Sequence, residues 1–206
     1  MSTSFSWDAG ISFFDKGLKV VLVSLCLAGS AAAQVDTILM QLGDALHADW
    51  QATARASGRT ERYKPVKVSG KPLTASSRQE IEAYCDTVGV PADLRAKFRI
   101  ADGGAVEQDI LAIPNRFLSA NNRGENDASA KVVLTAIQDQ LGAGGTLDDA
   151  FVEKASVVVH DEWMKRNSSW APPEQMLPFD KLSQVEADKD RAMVRIGIKL
   201  AQSSGL

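Results

Sequence analysis

Thr146-Leu-Asp-Asp-Ala-Phe-Val-Glu-Lys-Ala-Ser-Val-Val-Val-His-Asp-Glu-Trp-Met-Lys-Arg-Asn167 is the stretch on which the fold turns. Thr146-Leu-Asp-Asp149 offers a capping side chain and an acidic first turn. Phe151, Ala155, Val158, Val159 and Trp163 then recur at three-and-four spacing, so the spacing predicts a helix to about Asn167 with those residues inside. Upstream, Gly142-Ala-Gly-Gly145 ends a helix expected over 122–141, with Ala128, Val132, Val133 and Ile137 on one face, and marks the best internal boundary. Downstream, Trp170-Ala-Pro-Pro173 stops the helix and Met176-Leu-Pro-Phe179 makes a short apolar connection. Ser183 caps a final helix with a core face of Val185, Ala192, Ile196 and Leu200.

Farther out, Ile38, Leu39, Leu42, Ala45, Leu46, Trp50 and Ala54 define an amphipathic helix over 35–57. From Gly58 to Ser76 the chain mixes Gly, Pro, Lys and Arg and reads as irregular and partly extended, with Pro65, Pro72 and the later Pro91 breaking any long helix. Ser76-Ser-Arg-Gln-Glu80 resembles a capped helix start, Pro91 opens a short helix reaching toward Phe98, and Asp102-Gly-Gly104 is a turn. No segment alternates convincingly over several residues, so the expected class is all-α.

The 206 residues, 45% hydrophobic and 24% charged, describe an ordinary globular chain long enough for one sizeable core or two small ones. A net charge of −3 supplies no basic field for nucleic acid phosphates, so nucleic acid is not an expected partner. Cys26 and Cys85 make no disulfide framework, His47 and His160 have no ligand-spaced neighbours, and neither metal nor cofactor is implied. Residues 1–34 look like a leader. Lys16 and Lys19 precede the apolar run Val20–Ala28, and Ala31 and Ala33 form an A-x-A site before Gln34. The competing reading is a buried helix. The protein is therefore expected in the cytoplasm or, if 1–33 is a cleaved signal, in the periplasm or outside the cell. The run is too short for a stable membrane span.

His47-Ala-Asp-Trp50 and His160-Asp-Glu-Trp163 share one order, and Ile113-Pro114 and Leu177-Pro178 are followed at equal spacing by Leu118-Ser119 and Leu182-Ser183. Two anchors in the same order indicate a duplicated helical-hairpin unit. The division expected is 35–141 for a divergent first copy with an insertion over 58–110, about 50 residues by the repeat alignment, and 146–206 for the second. The second copy resembles the RyR domain, a small helical repeat named after ryanodine receptors, through His160, Trp163, Lys165, Trp170, Leu177-Pro178-Phe179, Leu182 and Glu186-Ala-Asp-Lys-Asp190. It departs from that pattern at Ser169, where the family has Gly, and at Ala171-Pro172-Pro173, where it has Tyr-Gly. The resemblance implies a module that recognises a small, nucleotide-derived molecule.

On that reading His160, Trp163, Lys165, Trp170, Pro178, Phe179 and Lys189 form the ligand site, with His47, Trp50 and Pro114 as first-copy counterparts. The aromatic faces would meet a base and the cations would meet phosphate. Taken singly, Trp50 and Trp163 at helical spacing are more often core residues, and His47 and His160 more often hydrogen-bonded helix residues than bases or ligands. A scaffold binding another protein is the rival reading. No nucleophile elbow, phosphate loop or dinucleotide fingerprint is present. His160 with Asp161 or Glu162 makes a poor acid/base pair because neighbours on a helix point about 100° apart, so a hydrolase is the weakest of the three.

Overall fold

The computed structural model describes the backbone from Asp15 and the side chains from residue 33 to residue 206. The leader reading of 1–34 rests on side chains outside the described residues. Two compact units divide the chain, Met1–Thr37 and Ile38–Leu206. In the first, helical backbone begins at Asp15, and the Thr37 hydroxyl donates to the Ala33 carbonyl at 2.8 Å. Among the described residues no helix is long and apolar enough to cross a membrane.

The second unit is built on four helices: α1 (Asp15–Ala56) from Ile38 onward, α4 (Ala120–Gly142), α5 (Asp149–Asn167) and α6 (Gln184–Ser203). The last three pack against one another in every pairing. Each buries a stripe at helical spacing: Ile38, Leu42 and Leu46 on α1; Ala130, Val133, Leu134 and Ile137 on α4; Phe151, Val152, Ala155 and Val159 on α5; Ala187, Val194, Ile198 and Ala201 on α6. Each fully buried Leu, Ile or Val contributes about 1.5–3 kcal/mol relative to exposure. The Gly142–Gly145 segment ends α4 and turns the chain so that α5 packs back along it, with Gln140 donating to the Thr146 carbonyl at 3.0 Å. Asp148 accepts from the Phe151 amide at 3.0 Å and Ser183 from the Glu186 amide at 3.3 Å, so α5 and α6 both start on capping side chains.

The apolar rhythm misplaces part of two faces. Val158 is 44% exposed and Val185 70% exposed, while Trp163, Ala192, Ile196 and Leu200 are half-buried. Polar or side-chain-free residues hold the inner positions instead: Ser156 and His160 on α5, Asp190 and Gly197 on α6. Counting only apolar residues therefore rotates the expected face away from the true one.

Between α1 and α4 the expected irregular insertion folds into a small antiparallel sheet, which corrects the all-α expectation to a mostly helical fold with a sheet. Strands β1 (Tyr63–Pro65), β4 (Phe98–Ile100) and β5 (Val106–Asp109) lie in the order β1-β5-β4, with Tyr63 opposite Asp109 and Phe98 opposite Gln108. A hairpin of β2 (Lys67–Val68) and β3 (Lys71–Pro72) turns through Ser69 and Gly70, both at positive φ (50° and 78°), the arrangement that suits a two-residue hairpin loop. Helix α2 (Arg78–Val88) starts on Ser77 and ends on Gly89 at φ 71°, and α3 (Ala92–Arg95) follows Pro91 and stops short of Phe98. Val66, Ile81, Cys85, Val90, Phe98, Val106 and Ile110 close a core under this sheet, which Ile113 and Leu118 join. Strands of two to four residues are too short to alternate visibly, and β5 buries two polar residues, Gln108 and Asp109. The two ends of the insertion meet: the Arg62 amide donates to Asp109 Oδ1 and the Ile110 amide to the Arg62 carbonyl, each at 2.9 Å.

Gly197 sets the approach of α6 to α4. A Cβ there would collide with Val133 Cγ1 and lie 3.1 Å from Ile137 Cδ1, both on buried, well-packed side chains. Gly197→Ala is expected to lower stability by about 1–3 kcal/mol in urea titration, the usual cost of overpacking, despite the better helix propensity of alanine.

Candidate functional site

His47 lies 3% exposed on α1 with Nε2 at 2.9 Å from the Ile110 carbonyl and 3.2 Å from that of Ile113. Carbonyls only accept, so Nε2 carries the proton and Nδ1 is left as an acceptor. Asn126 of α4 fills that role, its Nδ2 donating to Nδ1 at 3.1 Å and to Asn115 Oδ1 at 2.9 Å. Burial lowers the His47 pKa, backbone hydrogen bonds only partly opposing it, and the ring stays neutral. One and two turns along the same face, Gln51 donates to the Ile110 and Ile113 carbonyls at 3.1 and 3.0 Å, and Arg55 to that of Leu111. Trp50 stacks on the imidazole with centroids 5.3 Å apart and planes 20° off parallel.

His160 on α5 is also 3% exposed, and its Nε2 donates to the Leu177 carbonyl at 2.8 Å. Nδ1 lies 3.2 Å from Oδ2 of Asp190 on α6. Trp163 stacks on the ring at 6.2 Å and 16°, and Phe179 leans on it at 6.1 Å and 59°. The Arg191 guanidinium sits 5.2 Å from the Phe179 centroid.

Residue for residue the two neighbourhoods share backbone as well as side chains. Pro114 and Pro178 have φ, ψ of −58°, 149° and −52°, 147°, each followed by one 3-10 turn, Asn115–Phe117 and Phe179–Lys181. Leu118 and Leu182 then extend at −73°, 149° and −65°, 152°, and Ser119 and Ser183 precede α4 and α6 at −60°, 150° and −60°, 151°. Asn126 and Asp190 stand the same seven residues past those serines. The difference is chemical. Where the first site holds an amide, the second holds a carboxylate, and burial pushes the Asp190 carboxyl up to about 6, His160 and Lys189 pulling partly against it and Glu186 adding to it. When protonated, that carboxyl donates to His160 Nδ1 as Asn126 donates to His47.

Two cavities open beside these rings. A small one of about 140 Å³ is lined by His160, Trp163, Gln175, Leu182, Glu186, Lys189, Asp190 and Met193. A cleft of about 440 Å³ runs past both tryptophans, with Leu46, Asp49, Trp50, Arg59, Glu125, Asn126, Trp163, Lys189 and Met193 among its walls. Trp163, Lys189 and Met193 line both spaces.

The residues expected from sequence divide accordingly. His160, Trp163 and Lys189 are together at the small cavity, and Trp50 and Trp163 share the larger cleft. Phe179 backs the His160 ring without lining either space, and Trp170, 64% exposed, meets the edge of Trp163 at 6.1 Å. Lys165 points to solvent, paired with Glu162 at 2.6 Å, and lines neither cavity. Pro114 and Pro178 act through the backbone turns they begin, and the histidines spend both ring nitrogens on the fold. Asn126 has no signal by itself in the sequence, and Asp190 stands out there only as the end of the Glu186–Asp190 run, without a place in the site. The signal for both is a polar residue seven positions past Ser119 and past Ser183. Among the described residues no cluster of His, Cys, Asp or Glu could hold a metal ion. The chain matches no family model, no curated protein and no solved structure.

Asp190→Asn copies the Asn126 arrangement into the second site. A carboxyl raised from 3.8 to about 6 on folding favours the folded chain fully below about pH 4, and that contribution is lost as pH rises through 6. The melting temperature of the variant relative to the parent is therefore expected to climb between pH 4 and 6 and to level off above; a constant difference across that window in scanning fluorimetry would refute the assignment.

Proposed function

We propose that the second unit is a binding module made of two copies of one helix, proline turn and helix motif, and that the cleft between Trp50 and Trp163 takes a planar small molecule. The observation that carries this reading is that the equivalent tryptophan of each copy, each stacked on its own latched histidine, lines the same cleft. The imidazole fixes each indole plane, so aromatic surface is offered without side-chain ordering at the moment of binding. Leu46 and Met193 add apolar wall, and Met adapts to irregular ligands.

Charge narrows the class. Lys189 is already paired with Glu186 at 2.6 Å, whereas the Arg59 guanidinium at the cleft has no ion-pair partner among the described residues. A guanidinium beside two indoles suits a base carrying phosphate, which agrees with the resemblance of the 160–190 region to RyR domains and with nucleotide-derived ligands as the first class to test. This reading moves the ligand from the single second-copy pocket expected from sequence to the space both copies face.

Screening the full chain by thermal shift against nucleotides, cyclic dinucleotides and ADP-ribose derivatives is the direct test, since ligand at 100 times its dissociation constant adds about 2.7 kcal/mol. A shift is expected that Trp50→Ala or Arg59→Ala removes and Lys165→Ala preserves. Trp163→Phe, which keeps a ring on His160, should weaken the shift with the fold intact. A folded protein that shifts with none of these compounds would overturn the proposal.

A further inference from the structure

Along the edge of the core stripes of α4 and α5 runs a groove of about 660 Å³ with an apolar floor, chiefly Val132, Ala136 and Val158 above the buried Phe151 and Ala155. It follows the hairpin lengthwise. On α4 it runs from Ala128 to Ala143 and on α5 from Phe151 to Arg166, four turns and about 22 Å on each helix. Val158 stands 44% exposed in it, and β-branched and alanine side chains leave room for another helix to lie close. Such a floor is costly to leave wet over this length.

Its rim carries four charges in an alternating pattern. Lys131 and Asp139 stand on α4, and Lys154 and Glu162 on α5, eight residues or about 12 Å apart on each helix. Because α5 runs back along α4 and Arg166 reaches Ser129 at 3.2 Å, Lys131 and Glu162 share one end of the groove and Asp139 and Lys154 the other. Each corner therefore differs in sign from both its neighbours. Lys131, Asp139 and Lys154 have no ion-pair partner among the described residues, and Glu162 holds only the exposed pair with Lys165 at 2.6 Å. Arg166, at one extremity, is already committed to Glu125 at 3.3 Å.

We infer that this groove is a self-association surface, seating the same α4–α5 face of a second copy of the chain in a twofold dimer. A face that meets its own copy across a twofold axis must be complementary to itself. An axis along the groove sets Lys131 against the partner's Glu162 and Asp139 against the partner's Lys154. An axis across the groove sets Lys131 against the partner's Asp139 and Lys154 against the partner's Glu162. Opposite charges meet in both, and the apolar floors close into a four-helix layer. The face is small for a specific interface, so association is expected at about 1–100 μM.

Sedimentation of the full chain over that concentration range is the test, read beside circular dichroism. A reversible monomer–dimer equilibrium is expected. Lys131→Glu with Lys154→Glu makes all four corners acidic and should raise the dissociation constant about 100-fold, since like charges across an interface are strongly disfavoured. Adding Asp139→Lys and Glu162→Lys inverts the whole pattern, leaves the net charge of the parent and should restore the dimer. A parent that stays monomeric at 100 μM assigns the groove to some other occupant and overturns the inference. So does a dimer that the two-site variant leaves intact, or one that the four-site inversion fails to restore.

Discussion

A carbonyl ahead of a proline, buried in one place and partly buried in the other, is the constraint on which the rest of this structure leans. At Ile113 and at Leu177 one turn passes directly into a proline-led 3-10 turn, and the carbonyl there has no helical partner to accept from. Left unpaired it would cost about 1–3 kcal/mol. In both places a histidine supplies an N–H, from 66 residues away at Ile113, where Gln51 donates as well, and from the preceding helix at Leu177. That one bond decides more than its own energy. It fixes the tautomer, which fixes what the other ring nitrogen needs, and that need is met two turns inside the following helix, by the amide of Asn126 in one place and the carboxyl of Asp190 in the other. In both places one imidazole bridges helix, turn and helix, joined at the first by Gln51 and Arg55, and the neighbouring indole stacks on that ring.

The helices were legible because periodicity survives wherever a core face is apolar. Caps at Ser77, Asp148 and Ser183 and stops at Gly89 and Gly142–Gly145 fall where side-chain chemistry says they should. Legibility failed where a buried position is polar. Asp190, Ser156 and Gly197 occupy the inner stripe of their helices for hydrogen bonding or for close approach, and a count of apolar residues passes over them in favour of Val158 and Val185. The sheet was hidden for a related reason, since its strands are short and Gln108 and Asp109 turn inward to bond rather than outward to water.

The candidate site was half visible. His47, Trp50, His160 and Trp163 stand out in sequence as a repeated word, yet nothing in a linear pattern says that the two tryptophans face one cleft; that follows from the way α1, α4, α5 and α6 pack. Lys165 illustrates the opposite error. It belongs to the residues that carry the family resemblance, not to the repeated word, and is carried by helical spacing to the outer surface, where a carboxylate three residues earlier holds it. The two copies also differ in a way that spacing cannot express. Burial lowers the pKa of His47, which sits between carbonyls and an amide, while His160 faces an acid whose carboxyl burial raises to about 6. The first arrangement has no acid on the ring, and the second has one that gains or loses its proton in mildly acidic solution.

The hydrogen-bonded meeting of Arg62 and Ile110 gives the insertion the topology of a handle on a cup. The intervening residues carry a sheet, two helices and a core beneath them, and they touch the body again at the start of α4, where Asn121 accepts from the Lys67 amide and donates to the Pro65 carbonyl and Gln108 donates to Ser119. A segment closed at its own neck imposes little on the body that bears it: the entropy of joining its ends grows only with the logarithm of its length. The residues between can change in length while the helices keep their places, on condition that two sets of contacts are kept: the stretch from Ile110 to Pro114, where His47, Gln51 and Arg55 take hold, and the bonds from Pro65, Lys67 and Gln108 to the start of α4. That clasp ties the end of the insertion back onto one face of α1.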